Sequence, residues 1–186
     1  MKELHNTSGI IRTFSGKMIN VFDPNPEDIL IEDIAHALSN LCRFGGHTKQ
    51  FYSVAQHCCL MAMLVKDEPI ALATLLHDAS EAYLLDIPRP IKHMLPQYLE
   101  AEDKLMRIIA KKYGFEYPLP EEVKQLDKQF LEIEWEWLML GKLRPKNFTA
   151  WTSGYAKESF TELFAEILSV KHPSTDPESE TLNIES

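Results

Sequence analysis

From Ile31 to Leu140 the apolar residues return every three or four positions, in blocks separated by prolines and glycines. That period belongs to helices that bury one face, and it leaves little room for a sheet. Ile31, Ile34, Ala35, Leu38, Leu41 and Cys42 predict a first helix over roughly 27–42, entered through the breaker Asp23-Pro24-Asn25-Pro26. Residues 43–48 form a turn around Gly45 and Gly46. Phe51, Val54, Ala55, Cys58, Met61, Ala62 and Val65 mark a second helix, ending near Lys66–Pro69. A third is expected from about Ile70 to Leu85, stopped by Pro88 and Pro90, and a fourth over 97–113. The fifth opens on Pro120-Glu121-Glu122 and runs through Val123, Leu126, Phe130, Ile133, Trp137 and Leu140. Residues 145–154 are expected to be loop and 156–170 a last helix. Only residues 10–22 alternate, loosely and around Ser15-Gly16, so they predict a short hairpin. The expected architecture is an all-α bundle with a short N-terminal β-hairpin, one domain over 1–171. Residues 172–186, rich in Ser, Thr, Pro and acids, are expected to be a disordered acidic tail.

With 186 residues, 45% hydrophobic and 25% charged, the chain can bury a core without staples. A net charge of −9 argues against wrapping a nucleic-acid polymer, yet leaves small anions open, since a few cations or a metal in a cleft override the global field. Cys42, Cys58 and Cys59 make no disulfide framework, and the adjacent pair reads as small core residues. No signal peptide is apparent and no apolar run approaches 18 residues, so the expected location is cytoplasmic (the host cytoplasm if phage-encoded), away from membranes.

Four polar residues stand where apolar ones are expected. His57 is placed on a helix face with Val54, Leu60 and Leu64; His77-Asp78 directly follows the run Ala71–Leu76; Asp127 lies between Leu126 and Phe130. Singly, each has an ordinary reading as a hydrogen-bonded core residue. Together, two imidazoles and two carboxylates from three helices suit a divalent transition metal, with positions left for water and substrate. Burying the carboxylates without a cation would cost several kcal/mol.

His57, His77-Asp78 and Asp127 resemble the H…HD…D signature of HD-domain phosphohydrolases. The run LLHDASEAYLLDIPRPIK, with Ser53–His57 upstream, is similar to bacterial HD-domain 5'-deoxynucleotidases, which carry Glu where this chain has Gln56. The stretch RFGGHTKQFYSVAQH looks closer to phage-type members, including those that hydrolyse dATP to deoxyadenosine and triphosphate. The resemblance covers roughly residues 40–140. It implies an HD-type helical bundle and a divalent cation (Co, Mn, Zn or Mg) held by His57, His77, Asp78 and Asp127.

It further implies a deoxynucleotide substrate and cleavage of its 5'-phosphoester, releasing a deoxynucleoside with phosphate or triphosphate. Glu81, four residues after His77 and so one helical turn on, becomes the general acid/base for the water proton. Asp86 matches the aspartate that contacts the deoxyribose. Arg43 and Phe44 match an Arg-aromatic pair, the one for phosphate and the other for sugar or base. Arg89 replaces a small hydroxyl residue near the sugar and offers charge for further phosphates; Lys92 and His47 are additional phosphate candidates. The resembling enzymes assemble as dimers or rings, so a homo-oligomer is expected.

Other residues draw structural readings. Trp135, Trp137 and Leu138 are expected to pack the bundle. Glu132, Glu134 and Glu136 form a solvated face, with Glu134 placed seven residues from Asp127 and thus able to line a pocket. Two further functions compete: a non-catalytic nucleotide-binding protein of the same fold, and a di-iron oxygenase, which would need more histidines than the single His93 between Asp78 and Asp127.

Overall fold

The computed structural model describes residues 9–146 and 148–171. The tail 172–186, His5 and His172 lie outside the described residues. Two strands, β1 (Ile10–Arg12) and β2 (Met18–Asn20), pair antiparallel with Ile11 opposite Ile19. Gly16 closes their turn at φ +92°, a left-handed conformation that favours glycine. Ser15 then ties the hairpin to the bundle: its amide and hydroxyl donate to the two carboxylate oxygens of buried Asp33, at 2.6 and 2.8 Å.

Among the described residues, eight α-helices follow. They are α1 (Ile31–Asn40), α2 (Val54–Ala62), α3 (Glu68–Leu75), α4 (Glu81–Leu84), α5 (Arg89–Lys92), α6 (Pro96–Tyr113), α7 (Glu121–Glu134) and α8 (Ser153–Lys171). The expected all-α bundle with an N-terminal hairpin is the observed fold. Its core gathers Ile34, Leu38, Val54, Cys58, Leu72, Leu75, Ile109 and Phe160, with α8 packed across α1, α2 and α3. Cys58 and Cys59 are buried free thiols within it, as expected. Local signals set the helix ends. Ser53 caps α2 by accepting the Gln56 amide, Asp67 caps α3 by accepting that of Ile70, and Gly114 ends α6 in the left-handed conformation. No helix among the described residues is long and apolar enough to cross a membrane.

Three helices differ from expectation. The second stops at Ala62, so Leu64 lies beyond it, 65% exposed and off the His57 face. The third breaks after Leu75, because the His77 ring takes the Thr74 carbonyl that a continuing helix would offer to the Asp78 amide. Residues 76–81 instead close tight turns, Ala79 to Leu76 and Glu81 to Asp78, before α4 begins. The fifth keeps its direction past Glu134 but widens into a π turn over Trp135–Met139, marked by the Leu140 amide donating to the Trp135 carbonyl.

Candidate metal centre

The central helices and the break after α3 bring His57, His77 and Asp127 within 4.8 Å of one another, with Asp78 against His77. His57 comes from α2, His77 and Asp78 from the turn after α3, and Asp127 from α7. His57 Nε2 lies 3.3 Å from both His77 Nε2 and Asp127 Oδ1; His77 Nε2 lies 3.2 Å from Asp78 Oδ2 and 3.9 Å from Asp127 Oδ1. Both imidazoles are buried and anchored from behind. His57 Nδ1 sits 2.8 Å from Glu134 Oε1, and His77 Nδ1 sits 2.7 Å from the Thr74 carbonyl. A carboxylate and a carbonyl only accept, so each Nδ1 carries a hydrogen, and a ring in its neutral form turns the Nε2 lone pair inward.

Two lone pairs and two carboxylate oxygens thus face one another with no donor among them. Positive charge is what such a cluster accommodates. Burial works against a charged His77, yet the adjacent Asp78 outweighs it and holds the imidazolium well above the usual histidine range. Burial likewise opposes charge on Asp78 and Asp127, and the two histidines overcome it, keeping both carboxyls below their ordinary range. The donor set fits a divalent metal held by nitrogen and oxygen ligands. Cys58, His77 and Asp78 form an overlapping group. It is the poorer one: burial pushes the Cys58 thiol up, and the ring nitrogen nearest to its sulfur, Nδ1 at 3.9 Å, is engaged by Thr74.

A cleft of about 650 Å³ opens above this cluster, with Asp78 and Asp127 in its lining. Glu81, Asp86, Arg43, Phe44, Arg89 and Lys92 line it too, so the structure brings together nearly all the residues singled out in the sequence. His47 is the exception: it is exposed on the glycine turn and outside the cleft lining, because the turn over Phe44–Gly46 carries it past the rim. Glu81 is buried at the head of α4, while His77 lies in the turn before that helix; Glu81 Oε2 is unpartnered and Oε1 lies 3.5 Å from Lys92 Nζ. Burial, then the charges of Asp78 and Asp86, hold its carboxyl well above the usual range. Asp86 is raised chiefly by burial, against the opposing pull of Arg43.

The cations differ in freedom. Arg43 is buried, its Nε 2.9 Å from Glu134 Oε2 and one terminal nitrogen 3.5 Å from Asp78. The Nε contact is an ion pair without a directed hydrogen bond. Lys92 is held by Glu102 at 2.7 Å. Arg89, 66% exposed along its side chain, stands at the mouth 3.7 Å from Asp127 Oδ2.

Two expectations need correction. Glu134 belongs to no solvated face; it is fully buried and lies behind the cleft, where it holds His57 and Arg43. Its position two helical turns from Asp127 was the available signal. Trp137 and Leu138 pack the bundle around Tyr52 as expected, but Trp135 is 45% exposed and lines the cleft. Two residues apart, the two tryptophans face opposite sides of the helix, and the side of Trp135 is the one open to the cleft.

Fold and site together define a class: small all-α proteins whose central helices present a buried His/Asp cluster suited to a metal beneath an open cleft. Within it, the chain belongs to the same family as the uncharacterized protein YfdR of Escherichia coli (strain K12). The two are 48% identical over 124 residues, covering 67% of this chain and 69% of YfdR. An uncharacterized protein of Rhodobacter capsulatus is 37% identical over 126 residues, covering 63% of this chain and 64%, just under two thirds, of that relative. No protein-family model matches the chain.

Proposed function

We propose that this protein is a metal-dependent phosphohydrolase of the HD type that cleaves the 5'-phosphoester of deoxynucleotides, releasing a deoxynucleoside with phosphate or triphosphate. The observation that carries the reading is the inward convergence of two imidazole Nε2 atoms and two carboxylates beneath a cleft lined by Arg43, Arg89 and Lys92. The resemblance of LLHDASEAYLLDIPRPIK to HD-domain 5'-deoxynucleotidases supports it.

His57, His77, Asp78 and Asp127 would hold the divalent ion (Mn, Co, Zn or Mg). When bound, such an ion supplies Lewis-acid polarisation of a phosphoryl oxygen and acidifies a water. Glu81 would move the proton: burial and the charges of Asp78 and Asp86 raise its carboxyl, and Oε2 has no hydrogen-bond partner. Arg43 and Lys92, pre-set by Glu134 and Glu102, offset charge on the phosphoryl group without reorganising. Asp86, at the start of the segment leading to α5, lines the cleft and would accept from a sugar hydroxyl.

The test is a panel of deoxynucleoside mono- and triphosphates with Mn²⁺, Co²⁺, Zn²⁺ and Mg²⁺, with phosphate and triphosphate separated by chromatography. Release of either product, abolished by chelation, is expected. No turnover with any cation would overturn the reading in favour of a non-catalytic nucleotide binder.

A further inference from the structure

Resting on that reading for the anionic end of its ligand, we infer that Trp135 and Phe44 form an aromatic corner in the cleft that receives the nucleobase. Their ring centroids lie 5.7 Å apart with planes inclined at 66°, and both rings line the cleft. An edge-to-face pair is a corner and not a closed stack. A flat heteroaromatic ring can lie against one member while its rim meets the other.

Two backbone features hold the corner open. Phe44 sits at φ +56°, a left-handed conformation that a bulky side chain rarely adopts. Trp135 begins the π turn, the kind of local widening that re-aims side chains at functional sites. Beneath the rings, the preceding residue of each, Arg43 and Glu134, form the buried ion pair at 2.9 Å. Each dipeptide therefore directs a charge inward and an aromatic ring to the cleft. Trp135 is 45% exposed and lines the cleft, while Trp137, two residues on and so on the opposite side of the helix, is buried. The same cleft holds Asp127 of the metal cluster and the cations at its mouth. The ligand class that matches both ends is a planar base carried on a phosphorylated sugar.

The experiment uses the metal-loaded full chain and two readouts. Binding of deoxyadenosine, which has no phosphate to lose, is measured by equilibrium dialysis in wild type, Trp135→Ala and Trp135→Phe. Trp135→Ala is expected to weaken binding about tenfold or more, with Trp135→Phe restoring most of it. The ratio of kcat/KM for dAMP over 2-deoxyribose 5-phosphate is expected to fall similarly in Trp135→Ala. Wild-type affinity for deoxyadenosine in Trp135→Ala, or no binding by the wild type, would overturn the aromatic corner. An unchanged kcat/KM ratio would overturn it too, and would leave the phosphohydrolase reading standing. Trp135-dependent deoxyadenosine binding without turnover of any nucleotide would support the corner and overturn the phosphohydrolase.

Discussion

Glu134 Oε1 lies 2.8 Å from His57 Nδ1, and both side chains are sealed from solvent. The carboxylate fixes which ring nitrogen carries the hydrogen and so aims Nε2 at Asp127 and His77. Its other oxygen faces Arg43, so one buried residue sets both a metal-type ligand and a cleft cation. Burial opposes charge on Glu134, and Arg43 and His57 overcome it, holding the carboxyl below its ordinary range. Removing the partner leaves Arg43 buried without its main counter-charge. Glu134→Ala should cost about 3–5 kcal/mol of stability, read by denaturant unfolding. Glu134→Gln keeps the shape and an acceptor for His57, but not the charge. It should weaken Mn²⁺ affinity by about 10–100-fold in calorimetric titration; wild-type affinity would mean that an acceptor at this position suffices and the charge of Glu134 adds nothing.

Asp127 tests the cluster from the opposite wall. It faces His57, His77 and Arg89 from α7, and its side chain keeps 24% exposure to the cleft. Asp127→Ala is expected to lose metal and activity together while remaining folded. Elemental analysis after dialysis, paired with circular dichroism, reads both; a folded variant that keeps full metal content would remove Asp127 from the ligand set.

Glu81 separates proton handling from binding. Its carboxyl contacts Lys92 but none of the four cluster residues is within its ion-pair range. Glu81→Gln should therefore retain metal and nucleotide binding while turnover falls by about 10²–10⁴. Near wild-type turnover would pass the role to Asp86, the next raised carboxyl in the cleft.

Gln56 carries a structural prediction. Its Nε2 donates to the Thr149 carbonyl at 2.5 Å and its Oε1 accepts the Trp151 amide at 3.0 Å, which pins the segment before α8 against α2. The resembling 5'-deoxynucleotidases carry Glu here, and an ionised Glu has no hydrogen for the Thr149 carbonyl. Gln56→Glu should destabilise by about 1–3 kcal/mol near neutral pH, seen as a lower Tm. An unchanged Tm would show that the segment is held by its aromatic contacts, Phe148 with Phe130 and Trp137.

The bundle was legible because helical periodicity records which face is buried, and Ile34, Leu38, Val54, Cys58 and Phe130 all lie inside. The cluster was legible for the complementary reason: polar residues at His57, His77-Asp78 and Asp127 violate that pattern. What escaped depends on contacts between distant segments. Periodicity cannot show that the His77 ring will capture the Thr74 carbonyl and end α3 early. Glu134 looked like its neighbours Glu132 and Glu136 because charge alone does not say which acid has Arg43 and His57 waiting behind it. Helical spacing sets Trp135 and Trp137 on opposite faces, but it does not show that the face of Trp135 borders a cleft.

Arg89 bears on how many phosphates the cleft accepts. Arg43 is committed to buried Glu134 and Lys92 to half-buried Glu102, whereas Arg89 reaches from the exposed start of α5 towards Asp127 Oδ2 at 3.7 Å. A bound divalent ion and the two inner cations suffice for one phosphoryl group. A triphosphate brings about four charges near neutral pH, and its outer phosphates need a cation at the mouth. Arg89 is the residue placed there, and its exposure means that Arg89→Ala should change stability by no more than about 0.5 kcal/mol. On the phosphohydrolase reading, Arg89→Ala should raise KM for dATP by about tenfold while lowering dAMP turnover much less. The measurement is paired steady-state kinetics on the two substrates at fixed Mn²⁺. Equal losses on both would assign Arg89 to the sugar or the first phosphate and make the protein a plain 5'-nucleotidase.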